Sequence, residues 1–204
     1  MSNLQLSENV NYLPPDKFKE ILDYVSNNIK NKKLDNIDIQ MIFRIAYYGG
    51  LRINEVLKLR KKDFDFTRLT IALGDTKTKD NDFTSFPENF APMLKDYLEI
   101  ERKGIGKEDL LFYISRQTAY IWIMDIGKAL NITAWTTPQK QSHEKTKTHL
   151  FRKSIGKDMH YAGAPDSVVM TMLRHNNLET TTKYLRLNRK DVQRWTSEHQ
   201  KEII

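Results

Sequence analysis

Apolar residues recur along this chain first at helical spacing, then in alternation, then at helical spacing again. Pro14-Pro15-Asp16 opens a predicted helix whose inward positions are Phe18, Ile21, Leu22, Val25 and Ile29, since residues three and four apart share a helix face. A second helix follows with Ile39, Ile42, Phe43 and Ala46 on one side. Gly49-Gly50 stops it, glycine being permissive at helix ends. A short third helix is predicted over 52–58, with Ile53, Val56 and Leu57 inward. The period then drops to two. Leu69, Ile71 and Leu73 alternate with Arg68, Thr70 and Ala72, the mark of a strand. Gly74-Asp75 reads as a turn and 83–86 as a returning strand, which leaves 76–81 as an exposed hairpin tip. Helices resume over 89–102, with Phe90, Met93, Leu94 and Tyr97 inward, and over 117–130. After a polar loop at 136–146, further helices are expected over 148–162, 165–173, 178–185 and 188–200. The expected fold class is mostly α (α+β), carrying one small antiparallel sheet. No internal repeat interrupts it.

Composition narrows the class. The chain has 204 residues, enough for a sizeable core, and its nine Phe, nine Tyr and three Trp are too many aromatics for a disordered segment. The apolar run at 121–126 is short and broken by Asp125, so no membrane span is expected. The start, Met-Ser-Asn-Leu-Gln, has neither the charged nor the apolar part of a secretory signal, and the expected location is the cytoplasm. With no Cys, disulfides, thiol catalysis and Cys-based zinc sites are excluded. The acidic residues Asp35, Asp38, Asp63 and Asp65 do not meet His at ligand spacings and read as loop and cap residues; no metal or other cofactor is expected.

Charge adds a partner class. The net charge of +7 is uneven: residues 1–137 carry 20 basic and 19 acidic side chains, residues 138–204 carry 13 and 7. A basic final third suits a polyanion, most often nucleic acid, although a solvated cationic face would look the same.

Five short segments carry candidate chemistry. In Gly50-Leu51-Arg52-Ile53-Asn54-Glu55, Arg52 sits at a helix start, where a guanidinium and free backbone N–H groups together suit a phosphate. Glu55 lies one turn on and could orient that Arg. Lys77, in the hairpin tip, could reach a leaving oxygen and protonate it; Lys79 is two residues away. In His149-Leu150-Phe151-Arg152 the spacing puts imidazole and guanidinium on one helix face while Leu150 and Phe151 turn away. Leu173-Arg174-His175 follows an apolar helix, and Tyr184 lies nine residues beyond His175. A phenol titrates near pH 10 unperturbed, so it needs cationic neighbours or a base to attack at neutral pH. Taken singly, each segment is ordinary: a surface ion pair, a turn lysine, a hydrogen-bonded histidine, a packing tyrosine.

Taken together, in this order and at element boundaries, the segments resemble the tyrosine recombinases, the integrase family that cuts and rejoins DNA through a phosphotyrosine. Leu13-Pro14-Pro15-Asp16 looks like the start of that family's catalytic domain, and the likeness runs over roughly 13–190. The resemblance implies a short lead-in at 1–12 and a catalytic domain over 13–204, without a separate N-terminal core-binding domain in this chain. It implies a site of Arg52, Lys77, His149, Arg152, His175 and Tyr184, supported by Glu55, with Lys79 the alternative lysine. Tyr184 would attack a scissile phosphodiester, become linked to the 3′-phosphate and release a 5′-hydroxyl. Arg52, Arg152 and His175 would hold the non-bridging oxygens, His149 would help accept the phenol proton, and Lys77 would protonate the leaving oxygen. No metal or ATP would be needed. The implied partners are double-stranded DNA and other copies of the chain in a tetramer, with 188–204 as the candidate docking segment. The implied role is integration or recombination for a mobile element or virus. Two departures stand out. The family usually has Gly at the position of Arg174, and Asp-Leu-Arg is more usual than Leu-Phe-Arg after the histidine. Two other functions fit the same fold: a DNA-binding regulator without chemistry, and a type IB topoisomerase.

Overall fold

The computed structural model describes residues 13, 15–74, 83–132 and 149–174. Helix α1 (Pro15–Asn28) buries Phe18, Ile21, Leu22 and Val25, and Ile29 follows them into the core. Helix α2 (Asn36–Tyr48) starts at Asp35, whose carboxylate accepts the Asp38 N–H at 2.9 Å while the Asp38 carboxylate accepts the Asp35 N–H. This reciprocal cap satisfies donors that a helix start leaves open. Asp38 is itself buried, and it also receives the Tyr97 hydroxyl (2.8 Å) and the Arg102 guanidinium. Burial, the largest influence, raises its pKa despite those two partners.

Helix α2 is the hub. It packs against α1, against the short α3 (Ile53–Val56) and against α6 (Leu150–Tyr161). The α1–α2–α6 contact is aromatic. The Phe18 ring stacks on Tyr47 with centroids 4.1 Å apart, and Phe151 meets Phe18 edge-on at 5.9 Å and Phe43 at 5.4 Å. Phe151 is fully buried, so the first turn of α6 is pinned to the core. The Leu13 N–H donates to the Ser154 hydroxyl at 2.7 Å, which ties the chain ahead of α1 to the same helix. Helix α7 (Asp166–Met172) packs on α6 through Val169 and Leu173. Gly156 permits this approach, since a Cβ there would lie 2.8 Å from Leu173 Cδ1.

The sheet has three antiparallel strands in the order β1 (Phe64–Asp65), β2 (Thr70–Ala72), β3 (Phe83–Ser85). Ile71 pairs with Phe64 on one side and Thr84 on the other. Ile71 and Leu73 face inward as their alternation predicts. Leu69 does not extend the strand. It takes a left-handed backbone (φ 55°) at the end of a turn in which the Asp65 carboxylate accepts the Thr67 and Arg68 N–H groups, both at 2.9 Å. That turn makes 64–65 a third strand, which no alternation along the chain announces.

The helix expected over 89–102 is divided. A 3-10 turn (Glu88–Phe90) leads into α4 (Ala91–Asp96), and a π-helical turn (Tyr97–Glu101) ends it. Phe90, Leu94 and Tyr97 are buried as expected, but Met93 is 47% exposed. It flanks the stripe set by Phe90, Leu94, Tyr97 and Leu98. Helix α5 (Arg116–Ala129), capped by the Ser115 hydroxyl, buries Ala119, Trp122, Ile123 and Ile126 and packs on α1 and α3. Among the described residues no helix is long and apolar enough to cross a membrane. The helices expected over 178–185 and 188–200 lie outside the described residues.

Candidate active site

The site grows from the break between α2 and α3. Gly50 takes a left-handed backbone (φ 59°) that L side chains rarely adopt. A Cβ there would press on Ile155 Cγ2 and Leu173 Cδ2, both at 3.3 Å. Both glycine carbonyls are held from a distance. The Thr84 hydroxyl donates to Gly49 O at 2.7 Å, and Arg152 Nη1 donates to Gly50 O at 3.0 Å across 102 residues of sequence. The chain leaves this turn at Arg52, the N-cap of α3.

Arg52 is bound on two sides. Its backbone N–H donates to Glu55 Oε2 at 2.7 Å and its Nη1 to Glu55 Oε1 at 2.9 Å. Its Nε donates to His149 Nε2 at 3.2 Å, bridging 97 residues. Among the described residues nothing takes up its Nη2, and the side chain is 42% exposed. One edge of the guanidinium is therefore positioned by protein and another faces outward. Arg152, by contrast, is fully buried behind it, at the start of α6.

His149 stands just ahead of α6. Burial first, then the Arg52 and Arg152 guanidiniums and Lys153, lower its pKa from 6.5 to about 4, against the opposing pull of Glu55. The imidazole is thus neutral near pH 7. Because its Nε2 accepts from Arg52, its proton sits on Nδ1. Glu55 carries the opposite charge. Burial alone would raise its pKa, but Arg174, the Arg52 N–H and the Arg52 and Arg152 guanidiniums together hold it below the usual range.

Arg52, Glu55, His149 and Arg152 therefore lie together around the Gly49-Gly50 turn. Lys77, Lys79, His175 and Tyr184 lie outside the described residues. One participant was not among the candidates. Arg174 Nη2 reaches both Glu55 oxygens, each at 2.9 Å, across 119 residues. Its place beside His175 is visible in the sequence, but its partner is not. The arrangement offers outward-facing positive charge beside a neutral imidazole, which suits a phosphoryl group and a proton moving next to it.

Comparisons with known proteins bear on this site. A tyrosine recombinase of Thermosipho africanus (strain TCF52B) is 30% identical over 146 residues, covering 69% of this chain and 47% of that protein. The XerH site-specific recombinase, solved bound to palindromic difH substrate as a post-cleavage complex, matches with a TM-score of 0.66 at 20% identity, over 92% of this chain and 52% of its own. The catalytic domain of bacteriophage HP1 integrase matches with a TM-score of 0.61 at 18% identity, over 89% of this chain and 90% of that domain. The chain spans about half the length of the curated relatives it matches. The fold is thus that of a recombinase catalytic domain. With a model of the phage integrase family matching residues 11–191, the chain belongs to that family.

Proposed function

We propose that this chain is the catalytic domain of a site-specific DNA recombinase that cuts and rejoins strands through a 3′-phosphotyrosine. The observation that carries the reading is the convergence of Arg52, His149 and Arg152 on the Gly49-Gly50 turn, with Arg52 buttressed by Glu55 and open on one edge. Family membership and a structural neighbour solved on cleaved DNA support it.

In this mechanism the phenolate of Tyr184 forms a bond to phosphorus as the bond from phosphorus to the 5′-oxygen breaks. Arg52 and His175 hold the non-bridging oxygens, while Arg152, buried with its Nη1 on Gly50 O, adds positive charge from beneath the site. Loss of one such donor typically costs about 3–4 kcal/mol of the barrier. His149 is neutral, and for it to accept the phenol proton its Nε2 exchanges the Arg52 Nε–H it receives in this structure for the phenol O–H. Lys77, or Lys79 in its place, gives the leaving 5′-oxygen its proton. The phosphotyrosine conserves the energy of the broken bond, so a 5′-hydroxyl from another strand reverses the step without ATP or metal. Glu55 stays outside the bond changes and holds Arg52. The role is integration or excision of a mobile element, and the partners are duplex DNA and further copies of the chain.

The test is covalent trapping on nicked half-site DNA taken from the ends of the element. The wild-type chain should give a band that survives denaturant. Tyr184→Phe should abolish it while leaving DNA affinity within about twofold, since phosphate contacts dominate binding. A Tyr184→Phe protein that still forms the band, or a wild-type chain that binds DNA without ever forming it, defeats the proposal. The second result would favour a regulator. Relaxation of supercoiled plasmid without recombinant product would favour a type IB topoisomerase.

A further inference from the structure

A carboxylate beside a phosphate-binding guanidinium poses a problem. Glu55 holds Arg52 by two hydrogen bonds, yet its negative charge opposes the phosphate that Arg52 is placed to receive. Left unbalanced so close by, one unit charge lowers the affinity of an anion by several-fold at the effective dielectric of a protein surface. Arg174 meets Glu55 from the far side, one Nη2 shared between both oxygens at 2.9 Å. The two guanidiniums differ in exposure: the Arg174 side chain is 11% exposed and that of Arg52 is 42%. The buried one is therefore spent on Glu55, and the open one is left for an incoming anion.

The backbone gives a second, independent observation. Arg174 follows the last turn of α7, donating its N–H to Thr171 O at 3.0 Å, with φ 49°. This left-handed position after a helix is the one glycine fills most easily, and a side chain there is held against strain. Backbone strain persists where surrounding contacts over-determine it. Here the contact is the two-oxygen grip on Glu55, which also joins the end of α7, immediately before His175, to the start of α3.

We propose that Arg174 is a positioning residue that cancels the charge of Glu55, so that Glu55 can fix Arg52 without repelling a phosphate. The inference rests on the recombinase reading of the site. It makes Arg174 and Glu55 a unit: removing the cation alone leaves a repulsive carboxylate, and removing both charges restores the balance.

Inorganic phosphate serves as the probe, titrated into the full chain at pH 7 and low ionic strength while the His149 ring and Arg52 Nε–H signals are followed by NMR. Arg174→Gly is a suitable variant because glycine takes the left-handed backbone without strain. Phosphate affinity should fall about fivefold to tenfold in Arg174→Gly and recover most of that loss in Arg174→Gly/Glu55→Gln, whose amide oxygen keeps one of the two bonds to Arg52. A purely structural loosening of the α7 turn would not be repaired by a change at Glu55. An Arg174→Gly protein that binds phosphate as wild type does, or a double variant as weak as the single one, overturns the inference and leaves the recombinase reading intact. A wild-type chain whose Arg52 and His149 signals ignore phosphate overturns both.

Discussion

His149 shows how much of this site is set by neighbours rather than by residue type. Its pKa is lowered from 6.5 to about 4 by burial and by the cations around it. An unfolded histidine therefore takes a proton that the folded one refuses across that interval. The contribution of this group to stability is complete above about pH 6.5 and is lost as pH falls from there through 4. Urea unfolding of wild type and His149→Gln at pH 7 and at pH 4.5 checks the sign. Wild type should lose more stability between the two than the variant does; equal losses would mean that the imidazole titrates normally. The same residue marks the limit of what the sequence discloses. The Arg52–Glu55 pair is local and can be read from spacing alone. The bonds from Arg52 to His149, from Arg152 to Gly50 O and from Arg174 to Glu55 join residues 97, 102 and 119 positions apart, and no periodicity encodes such a meeting. The order of the segments suggested it only through a likeness to a family.

At the scale of elements, the site depends on how α6 is seated. Phe151 lies between His149 and Arg152 in sequence and turns the other way, into the rings of Phe18 and Phe43. Phe151→Ala should cost about 3–5 kcal/mol of unfolding free energy, the usual range for a truncated core phenylalanine, measured as a lower denaturant midpoint. A loss under about 1 kcal/mol would mean that α6 is held by other contacts. The inward face of α1 was legible because it buries one continuous stripe, and apolar residues at that spacing share a face only when the chain is helical; α2, packed on several sides, buries Met41, Ile45 and Tyr47 besides the four positions its spacing marks. The sheet was harder. Leu69 fits an alternating pattern, yet the Asp65 carboxylate bends the chain there by accepting two backbone N–H groups, and those two hydrogen bonds outweigh the pattern. The two-residue strand before the turn is too short to show a period. Met93 fails for a related reason: α4 is brief and closes in a π-helical turn, so an ideal helix projected over 89–102 misplaces its flank.

For the whole molecule, charge makes the most demanding prediction, because it separates recognition of a phosphate backbone from general attraction. The surplus lies in residues 138–204, with 13 basic against 7 acidic side chains, while residues 1–137 are nearly balanced at 20 against 19. A diffuse cationic surface and a built phosphate site both predict weaker DNA binding at higher salt. They differ in which side chains set the slope. Each phosphate neutralised contributes about −0.9 to the slope of log affinity against log salt, so four contacts give roughly −3.6, or about a hundredfold loss between 50 and 200 mM. Arg52→Ala should remove one such contact and flatten the slope by about 0.9. Lys62, whose ammonium is already held by Glu108, is the control, and Lys62→Ala should leave the slope unchanged. Fluorescence anisotropy on a labelled duplex across a salt series measures both. If Arg52→Ala and Lys62→Ala flatten the line equally, the attraction belongs to the surface at large and the open guanidinium edge is not where DNA is held.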